Sequence, residues 1–523
     1  MSLLPVFAWC HSGQSSNSDN ISIKPKEAVS LRKYSSFKNG KDWAPAFEKA
    51  LKECDCVFVP KGIYYCSPVK IPSGKIIQGS GSNTIFRPLD TKLFIVNGSQ
   101  REGQPIAKDI VDFSNVCTLK NIKDLTPGDD IMIVSQRNSM LKEGMPGENY
   151  DPDWVLGRTR KTSVFFGEFD NVLSIDGITF TTYHNRVFPH YFKDNSHEPE
   201  PPTEGFRTRK STSVYKLEMI KNVILRNFSV EGTAKCYQVI SLKYAKDCIL
   251  DNIHFRQGIP CYKPDGKEYL TLVHAYLCRD IIVKYCTSTF SKKMVSYIWN
   301  LKKAYVNFSK YNIFKIISCW DSGFDSCTSN CATHGFSITR GSSSITSITG
   351  GRCYIRNCVS SNNIWSGVTV QQGVLITELS GNKVTASGQG ICCAGRCSII
   401  RNNIVSTDLP FSTHYYYTHI ETKQNGQNVM WGGTGGIVLN EGYSCGTPSN
   451  HTIVENNVIK GFYTAISIRD GYENKNIFEQ GHITIRGNKA RKIKVGVGVY
   501  KNGYNKTDAP LDLRIEGNDF VCL

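Results

Sequence analysis

An asparagine-centred repeat in the C-terminal half constrains the fold of this chain more than any other feature. Each copy has an aliphatic residue, two variable residues, an asparagine and a further apolar residue shortly after it. The asparagines of the eight copies are Asn227, Asn252, Asn357, Asn382, Asn403, Asn457, Asn488 and Asn518. The last six recur at fairly even intervals, apart from one much longer gap between Asn403 and Asn457. Because a period of about 20–50 residues is typical of stacked repeat units, the chain is predicted to be a solenoid.

The repeat units are predicted to be short β-strands wound in parallel. Ile, Val, Thr and Tyr alternate with polar residues, and Gly, Asn and Asp bound each run. No helix is predicted between successive units, which excludes leucine-rich and helical repeats. Asparagine tolerates the left-handed backbone of turns and stacks with identical neighbours in a ladder. The long gap between Asn403 and Asn457 is predicted to be either two coils or one coil with an inserted loop.

Length and composition limit the alternatives. A single compact core rarely grows beyond ~250–300 residues, and this chain has 523, so it is either multidomain or a solenoid. With 40% hydrophobic and 20% charged residues it is globular rather than disordered. No stretch approaches the ~20 apolar residues that cross a membrane, so no membrane insertion is predicted. The net charge of +17 favours an acidic partner, but Lys and Arg are scattered, so nucleic acid is not expected.

The 20 cysteines are predicted to be reduced, buried side chains rather than disulfides. They are a small fraction of a long chain and are irregularly spaced, which is typical of a protein made in a reducing cytosol. Cys327 and Cys331, like the run Cys392, Cys393 and Cys397, lack the paired CxxC spacing of a zinc site. Neither a metal nor a cofactor is therefore predicted.

One helix is predicted near the N-terminus. The segment KDWAPAFEKALKEC carries Trp43, Phe47 and Leu51 on one face. Asp42 is a candidate N-cap, and Pro45 lies in the first turn. Short strand segments separated by turns rich in Pro, Gly and Ser follow it. The helix is therefore placed to cover the open edge at the end of the solenoid.

The order DWAPAFEKAL, VFVPKGIYYCS and IPSGKIIQGSGSNTIF resembles the opening of the pectate-lyase-like right-handed parallel β-helix, in the version found in bacteriophage tailspikes and capsule depolymerases. Of the paired aspartates usual before the helix, only Asp42 is present. The resemblance implies an all-β, right-handed parallel β-helix with a capping helix and a small β-rich insertion. The predicted divisions are an N-terminal segment (1–40), the capping helix and first coils (41–90), the insertion (91–215) and the main parallel β-helix (216–523).

The same resemblance implies a tailspike depolymerase of the virion tail, made in the host cytoplasm and acting outside the bacterial cell. Its expected partner is a bacterial surface polysaccharide, either O-antigen or capsule, which it cleaves by endo-glycosidic hydrolysis. A homotrimer, and attachment through the N-terminal segment to another tail or baseplate protein, are also implied. Two alternatives stay open: a lyase or epimerase that acts on an acidic polysaccharide by β-elimination, and a non-catalytic receptor-binding spike or adhesin.

Candidate catalytic residues lie in and beyond the stretch CWDSGFDSCTSNCATHGFSITRG. Glycoside hydrolysis needs two carboxyl groups, ~5 Å apart for retention or ~6.5–9.5 Å apart for inversion. Neighbouring coils of a parallel solenoid are ~4.8 Å apart. We therefore predict a carboxylate cluster of Asp321, Asp325 and, two coils further on, Glu378. His334 is the candidate base of the elimination alternative, with Arg340 as a cation for the substrate.

Substrate-binding residues are sought among the aromatic side chains, because the apolar C–H faces of sugars stack on aromatic rings. The Tyr-, His- and Gly-rich segment inside the long gap is typical of a loop that lines a substrate site. Together with Arg340, the predicted binding residues are Trp320, Trp365, Tyr415, Tyr416, Tyr417 and Trp431.

Overall fold

The main body of the protein is a right-handed parallel β-helix, which confirms the predicted fold class. The structure is a computed structural model. It describes residues 28–135, 166–187, 191–194, 212–264, 269–301, 311–339, 349–371, 374–385, 388–395, 397–408, 423–424, 427–428, 435–440, 451–469, 481–500 and 511–523. Each coil contributes one strand to each of three parallel sheets, here called A, B and C in the order in which the chain passes through them.

The first coils are closed at their N-terminal end by a helix, as predicted. Their strands are β1 (Val29–Ser30), β2 (Cys56–Val59), β3 (Gly62–Cys66), β4 (Val69–Lys70), β5 (Ile76–Gly79), β6 (Thr84–Pro88) and β7 (Lys92–Asn97). A 3-10 helix, Leu31–Phe37, and helix α1, Ala44–Glu53, precede β2. Phe47 and Leu51 of α1 are buried in the solenoid core. Asp42 Oδ1 accepts the N–H groups of Ala44 and Ser67, each at 2.9 Å, so it fixes the start of α1 against the first coil.

An antiparallel sheet is inserted after β7, where the chain passes from sheet C to sheet A for the second time. Its strands are β8 (Ser99–Pro105), β9 (Val116–Thr118), β10 (Asp130–Ser135), β11 (Phe166–Asp176), β12 (Thr179–Thr182) and β13 (Ser213–Glu218). They are ordered β8-β13-β10-β11-β12-β9. Strand β7 pairs in parallel with β4 and belongs to the solenoid, so this sheet begins later than the predicted boundary at residue 91.

The coils that follow the insertion run to the end of the described chain. Their strands are β14 (Ile220–Lys221), β15 (Ile224–Glu231), β16 (Gln238–Lys243), β17 (Ala245–Gln257), β18 (Thr271–Tyr276), β19 (Arg279–Lys284), β20 (Thr287–Phe290), β21 (Asn312–Ile317), β22 (Gly323–Asp325), β23 (Thr328–Thr339), β24 (Gly350–Arg356), β25 (Val359–Val370), β26 (Val374–Ser380), β27 (Lys383–Thr385), β28 (Gln389–Cys393), β29 (Ile399–Arg401), β30 (Ile404–Ser406), β31 (Lys423–Gln424), β32 (Gln427–Asn428), β33 (Gly435–Asn440), β34 (Ile453–Glu455), β35 (Val458–Lys460), β36 (Thr464–Arg469), β37 (Gly481–Arg486), β38 (Lys489–Ile493), β39 (Val495–Tyr500), β40 (Leu511–Glu516) and β41 (Asp519–Cys522). Strands β31 and β32 form a separate two-stranded antiparallel sheet.

A second helix, α2 (Lys292–Leu301), lies between sheets B and C of one coil. No helix was expected from the repeat pattern at this position. Ser291 Oγ accepts the Met294 N–H at 3.2 Å, as an N-cap does, and Met294 is buried against the solenoid. Among the described helices, none is long and apolar enough to cross a membrane.

The strand of sheet A is held between two residues with left-handed backbone, always five positions apart. The residues before the strand, here called the first corner, are Asn222, Asp247, Asp280, Asp321, Arg352, Ile376, Cys397, His451, His482 and Asp512. The residues after it, the second corner, are Asn227, Asn252, Tyr285, Ser326, Asn357, Gly381, Asn402, Asn456, Gly487 and Gly517. Gly, Asn and Asp tolerate this backbone best, which explains why they punctuate the repeat.

The predicted asparagine ladder forms in the last coils, one residue after the second corner. Its members are Asn382, Asn403, Asn457, Asn488 and Asn518. Asn403 Nδ2 donates to Asn457 Oδ1 at 2.9 Å, so the long gap between these two residues is one coil with an insertion. In earlier coils Cys286, Cys327 and Cys358 take the same position. The Cys327 thiol donates to the Val283 carbonyl at 3.3 Å, as the Asn382 amide does to that of Ile355 at 2.8 Å.

Candidate functional site

Three aspartates stack at the first corner of consecutive coils. Lys246 pairs with Arg279, and Arg279 with Trp320, so the residues that follow them, Asp247, Asp280 and Asp321, lie one above another. Neighbouring strands in a parallel sheet are ~4.8 Å apart. The structure therefore brings Asp321 against Asp280, which the sequence analysis did not single out.

Asp321 is held as a carboxylate by arginines. Arg352, the first-corner residue of the next coil, donates from Nε to Oδ1 at 2.6 Å and from its terminal nitrogen to Oδ2 at 2.7 Å. Arg279 Nε lies 3.4 Å from Oδ2. Burial alone would raise the pKa of Asp321, but Arg352, Arg279 and His184 together hold it below its usual value. The Arg352 guanidinium also lies 4.9 Å from the ring centre of Trp320, which fixes its plane.

The pKa of Asp280 is shifted in the opposite direction. Burial, and then the negative charge of Asp321, raise the pKa of Asp280 to about 7, although Arg279 Nε lies 3.3 Å from its Oδ2. The pKa of Asp247, below it, is also raised by burial. Two adjacent carboxyl groups with pKa values driven apart are the arrangement from which enzymes make an acid and a base. About a third of the Asp280 side chain is exposed, so the group is open to solvent.

The inserted sheet packs against this corner. Trp320 is fully buried in a second apolar core that also contains Leu277 and Leu375 of the solenoid and residues of the insertion. Its indole Nε1 donates to the Thr349 carbonyl at 2.9 Å, and Thr349 Oγ1 donates to the Gly167 carbonyl of β11 at 2.7 Å. The insertion therefore buries one side of the aspartate stack.

Polar contacts extend that interface. Asn171 of β11 accepts from Arg279 at 2.9 Å and donates to Asp130 Oδ1 at 2.7 Å. Lys246 donates to the same Asp130 oxygen at 2.9 Å. Arg279 is thereby held between the insertion and the two aspartates, Asp280 and Asp321.

The insertion also brings a histidine to the site. His184 Nδ1 lies 2.9 Å from Asp170 Oδ1, and the His184 charge helps to lower the pKa of Asp321. Asp170 is buried and pairs with Arg186. Burial alone would raise the pKa of Asp170, but hydrogen bonding to His184 and the Arg186 charge lower it to about 2. About a third of the His184 side chain is exposed, so part of this imidazole is open to solvent on the side of the site that affects Asp321.

The three acids that were predicted to cluster lie apart, and each has a different arginine as its partner. Asp321 pairs with Arg352, as described above. Asp325 lies on the outer face of sheet A, between Lys284 and Arg356 on the adjacent coils, with Arg356 Nε 4.0 Å away. Glu378 stacks above Tyr354 and accepts from Arg401 at 2.8 Å.

Asp325 belongs to a ladder of alternating charge. The residues in register along sheet A are Arg226, Asp251, Lys284, Asp325, Arg356, Ser380, Arg401, Glu455, Arg486 and Glu516. Opposite charges directly across a strand pair stabilise a sheet. This register gives Asp325 a structural role on a part of the surface that Asp321 does not share.

His334 lies on the outer face of sheet C. It is buried, and its Nδ1 is 2.7 Å from Ser366 Oγ and 2.9 Å from Thr369 Oγ1. Burial and the Lys315 charge lower the pKa of His334 to about 3, so the ring is neutral near pH 7. The structure thus separates His334 from the aspartate stack.

The predicted aromatic platforms have mixed outcomes. The Trp320 ring is 0% exposed, so it supports Arg352 and is closed to a sugar. Trp365 lies within β25. The other predicted binding residues lie outside the described part of the chain: Arg340, Tyr415, Tyr416, Tyr417 and Trp431. Across the described ranges, no group of three or more His, Cys, Asp and Glu side chains is placed to hold a metal ion.

The spacing of the corner residues carries a signal for Asp280. The second-corner residue follows the first by five positions in every coil, so Asn252 points back to Asp247 and Ser326 to Asp321. Applied to Tyr285, the same offset finds Asp280. His184 and Asp170 carry no such signal, because they reach the corner through the insertion.

No protein-family model and no curated protein matches the chain. Solved structures do match. The Gp54 tailspike of Acinetobacter baumannii bacteriophage AP22, solved with A. baumannii capsular saccharide, aligns over 94% of this chain and 69% of its own, with a TM-score of 0.58 and 12% identity. The tailspike gp49 of Pseudomonas phage LKA1 aligns over 92% and 74%, with a TM-score of 0.56 and 14% identity. The chain therefore has the parallel β-helix fold that these phage tailspikes have, as the resemblance predicted.

Proposed function

We propose that the chain is a phage tailspike depolymerase, which binds a bacterial surface polysaccharide and hydrolyses it within the chain. The observation that carries the proposal is the pair of Asp280 and Asp321, stacked on consecutive coils with pKa values driven in opposite directions. The likeness of the fold to tailspikes, one of them solved with a capsular saccharide, supports the class of substrate.

Asp280 is the general acid in this proposal. With a pKa of about 7 it carries its proton in a large fraction of molecules at neutral pH and donates it to the glycosidic oxygen of the leaving group. Asp321, held ionised by Arg352, acts on the other side of the sugar ring as the nucleophile. Arg352 is a positioning residue, since it orients Asp321 and keeps it charged.

Assembly and location belong to the same proposal. Three chains pack side by side in the virion tail, and the spike attaches to another tail or baseplate protein through its N-terminal segment. The polysaccharide is met outside the bacterial cell.

The test is cleavage of purified capsule and O-antigen from a panel of bacteria. Chain length is followed by size-exclusion chromatography, and new reducing ends are counted. Wild type should shorten one polymer, and Asp280→Asn and Asp321→Asn should each be at least about a hundredfold slower, as expected when a general acid or its partner is lost. Asp251→Asn is the matched control, because Asp251 is a partly exposed aspartate in the charge ladder of sheet A, away from the aspartate stack.

Thermal unfolding of each variant separates lost chemistry from lost folding. Full activity in both folded site variants would contradict the catalytic roles assigned to Asp280 and Asp321. Binding of a polymer without any shortening would indicate the adhesin alternative.

Elimination is the second candidate, favoured by one observation. Lys315, on the outer face of sheet C, has its pKa lowered to about 8 by burial and by Lys263, which suits a base. Elimination leaves an unsaturated sugar with new ultraviolet absorbance, whereas hydrolysis does not. Shortening with that absorbance, and its loss in Lys315→Gln, would favour the lyase.

A further inference from the structure

The outer face of sheet C carries lysines from four levels of the solenoid. Ser241, His274, Lys315 and Ser337 are in register on consecutive coils. Lys92, one coil earlier, places Nζ 3.4 Å from Ser241 Oγ. Lys243 lies at the end of the same strand as Ser241, and Lys263 comes from the chain before β18. Lys92, Lys243, Lys263 and Lys315 are here called the lysine strip.

The lysine charges lower the pKa values of ionisable groups near them. Burial and the Lys243 charge lower the pKa of Lys92. Burial lowers the pKa of His274 to about 3, and the charges of Lys315, Lys92 and Lys263 add to that effect. His274 is therefore a neutral hydrogen-bonding group surrounded by ammonium groups.

No carboxylate of the described residues forms an ion pair with any of the four lysines. Several other cations of the solenoid are paired, as Arg352 is with Asp321 and Arg486 with Glu455. Four clustered ammonium groups without a counter-charge repel one another, and an anion placed among them relieves that repulsion. The strip thus gathers on one face four cations that no carboxylate of the described residues pairs.

A buried hydroxyl points to the same ligand chemistry. Ser337, above Lys315, is 0% exposed, and its Oγ has no hydrogen-bond partner within the described chain. Buried polar atoms are normally satisfied, so an unpaired hydroxyl beside an unpaired ammonium group indicates a place for an external acceptor. The partly exposed ring of Tyr276, with Lys243 Nζ 5.8 Å from its centre, offers a surface for a sugar beside it.

We propose that the lysine strip binds the carboxylate groups of an acidic polysaccharide, so that the substrate is a polymer of uronic or related acidic sugars. The proposal rests on the proposed function, since it names the substrate of the same spike. Lys315 precedes Asp321 by six residues in one coil, so a polymer crossing sheet C reaches the aspartate stack within ~20 Å. The spacing of the lysines along the coils suits a chain that carries repeated charges.

The test is calorimetric binding of three probes: hexagalacturonate, neutral maltohexaose and inorganic phosphate. Hexagalacturonate should bind the wild type, and binding should weaken as salt is raised. Lys315→Gln should weaken it about tenfold, the usual effect of removing a charged hydrogen-bonding partner. Lys92→Gln should act in the same direction, so the proposal can be tested even if one variant does not fold. Lys460→Gln, an exposed lysine of sheet B, should bind as the wild type does.

Three results would overturn the proposal. They are no binding of hexagalacturonate to the wild type, equal binding to folded Lys315→Gln, or binding of phosphate or maltohexaose as tight as that of hexagalacturonate. The readout needs no cleavage. A spike that binds hexagalacturonate through Lys315 but cleaves nothing would refute the proposed hydrolysis and leave this site standing.

Discussion

Asp280 and Asp321 occupy the same corner of consecutive coils, yet the pKa of Asp280 is raised and that of Asp321 is lowered. The difference arises from what stacks next. Arg352 lies directly beyond Asp321, whereas Asp247 lies beyond Asp280, so one aspartate has a cation as its neighbour and the other has an acid. A stack of equivalent positions thus yields two chemically different groups.

Polymer cleavage should fall as pH rises through about 7. Asp280 must carry its proton to act as the acid, and its pKa is raised to about 7 by burial and by Asp321, with Asp247 adding to the shift and Arg279 and Lys246 opposing it. Initial rates at saturating polymer, measured from well below to well above this pH, check the prediction. A rate that is flat through neutrality contradicts it. Because the folded-state pKa is raised, the contribution of Asp280 to stability is fully present below the unfolded value of about 3.9 and is lost as pH rises from there to about 7.

Hydrolysis should proceed with retention of anomeric configuration. Stacked positions put the two carboxyl groups about one strand spacing apart, ~4.8 Å, and retaining enzymes have theirs ~5–5.5 Å apart. Proton NMR of the first-formed product reports the configuration before mutarotation. Inversion of the anomer would mean that a different acid pair carries the reaction.

Replacing Arg352 by Met should both destabilise the protein and slow cleavage. Removing one partner of a buried ion pair leaves the other charge unpaired, which costs about 3 kcal/mol or more in unfolding free energy. The pKa of Asp321 should also rise, because its largest opposing influence is lost. Urea unfolding and the acid side of the pH–rate profile are the measurements.

Arg356→Met is the control for that change. Arg356 stacks one coil above Asp325 at a more exposed position, 40% of its side chain being accessible. Its removal should change the unfolding free energy by less than about 1 kcal/mol. Equal losses of unfolding free energy in the two variants would contradict the stabilising role of Arg352 beside Asp321.

Asn403→Leu should break the asparagine ladder. The Asn403 amide accepts from Asn382 Nδ2 at 3.0 Å and donates to the Leu379 carbonyl at 2.9 Å. Both hydrogen bonds are buried. Losing it leaves buried partners unsatisfied at about 1–3 kcal/mol each. Asn402→Gly, at the neighbouring left-handed corner, should be nearly neutral. A lower melting temperature for Asn402→Gly than for Asn403→Leu would contradict a stabilising role of the ladder.

Asp170 should make the protein sensitive to acid. Its pKa is about 2 when folded, against about 3.9 in the unfolded chain, so it contributes about 2 kcal/mol near neutral pH. Since the folded-state pKa is depressed, that stability is present above pH about 4 and lost as pH falls towards 2. Unfolding free energies of wild type and Asp170→Asn should therefore converge at low pH. Asp176→Asn, exposed on the same strand, is the matched control.

The sequence predicted the parts of the fold that have a pattern of their own, either repeated along the coils or local to one helix. The capping helix has its own amphipathic pattern and turn residues. The ladder position of Asn382 is predictable because identical asparagines stack on neighbouring coils, one residue after a left-handed corner that favours Asn and Gly. Helix α2 was missed because it occurs in one coil only and no period reveals it.

The candidate site was only partly predictable. Asp321 stands out in its local sequence, but its partner was sought in Glu378, two coils away, instead of Asp280. Unequal coil lengths explain the difference. The coil from Asn222 to Asp247 is much shorter than the coil from Asp280 to Asp321, so distance along the chain does not reveal which residues stack.

The solenoid, its cap and its corners follow from local sequence patterns, because left-handed turns, strand alternation and asparagine stacking act within one coil or between like positions. Which acids meet, and which charge each one carries, depends on the packed coils. The hydrogen-bond register of parallel strands places Asp280 under Asp321. The docked insertion brings His184 from a distant part of the chain and buries one side of the corner, and pKa values depend on those neighbours and on burial.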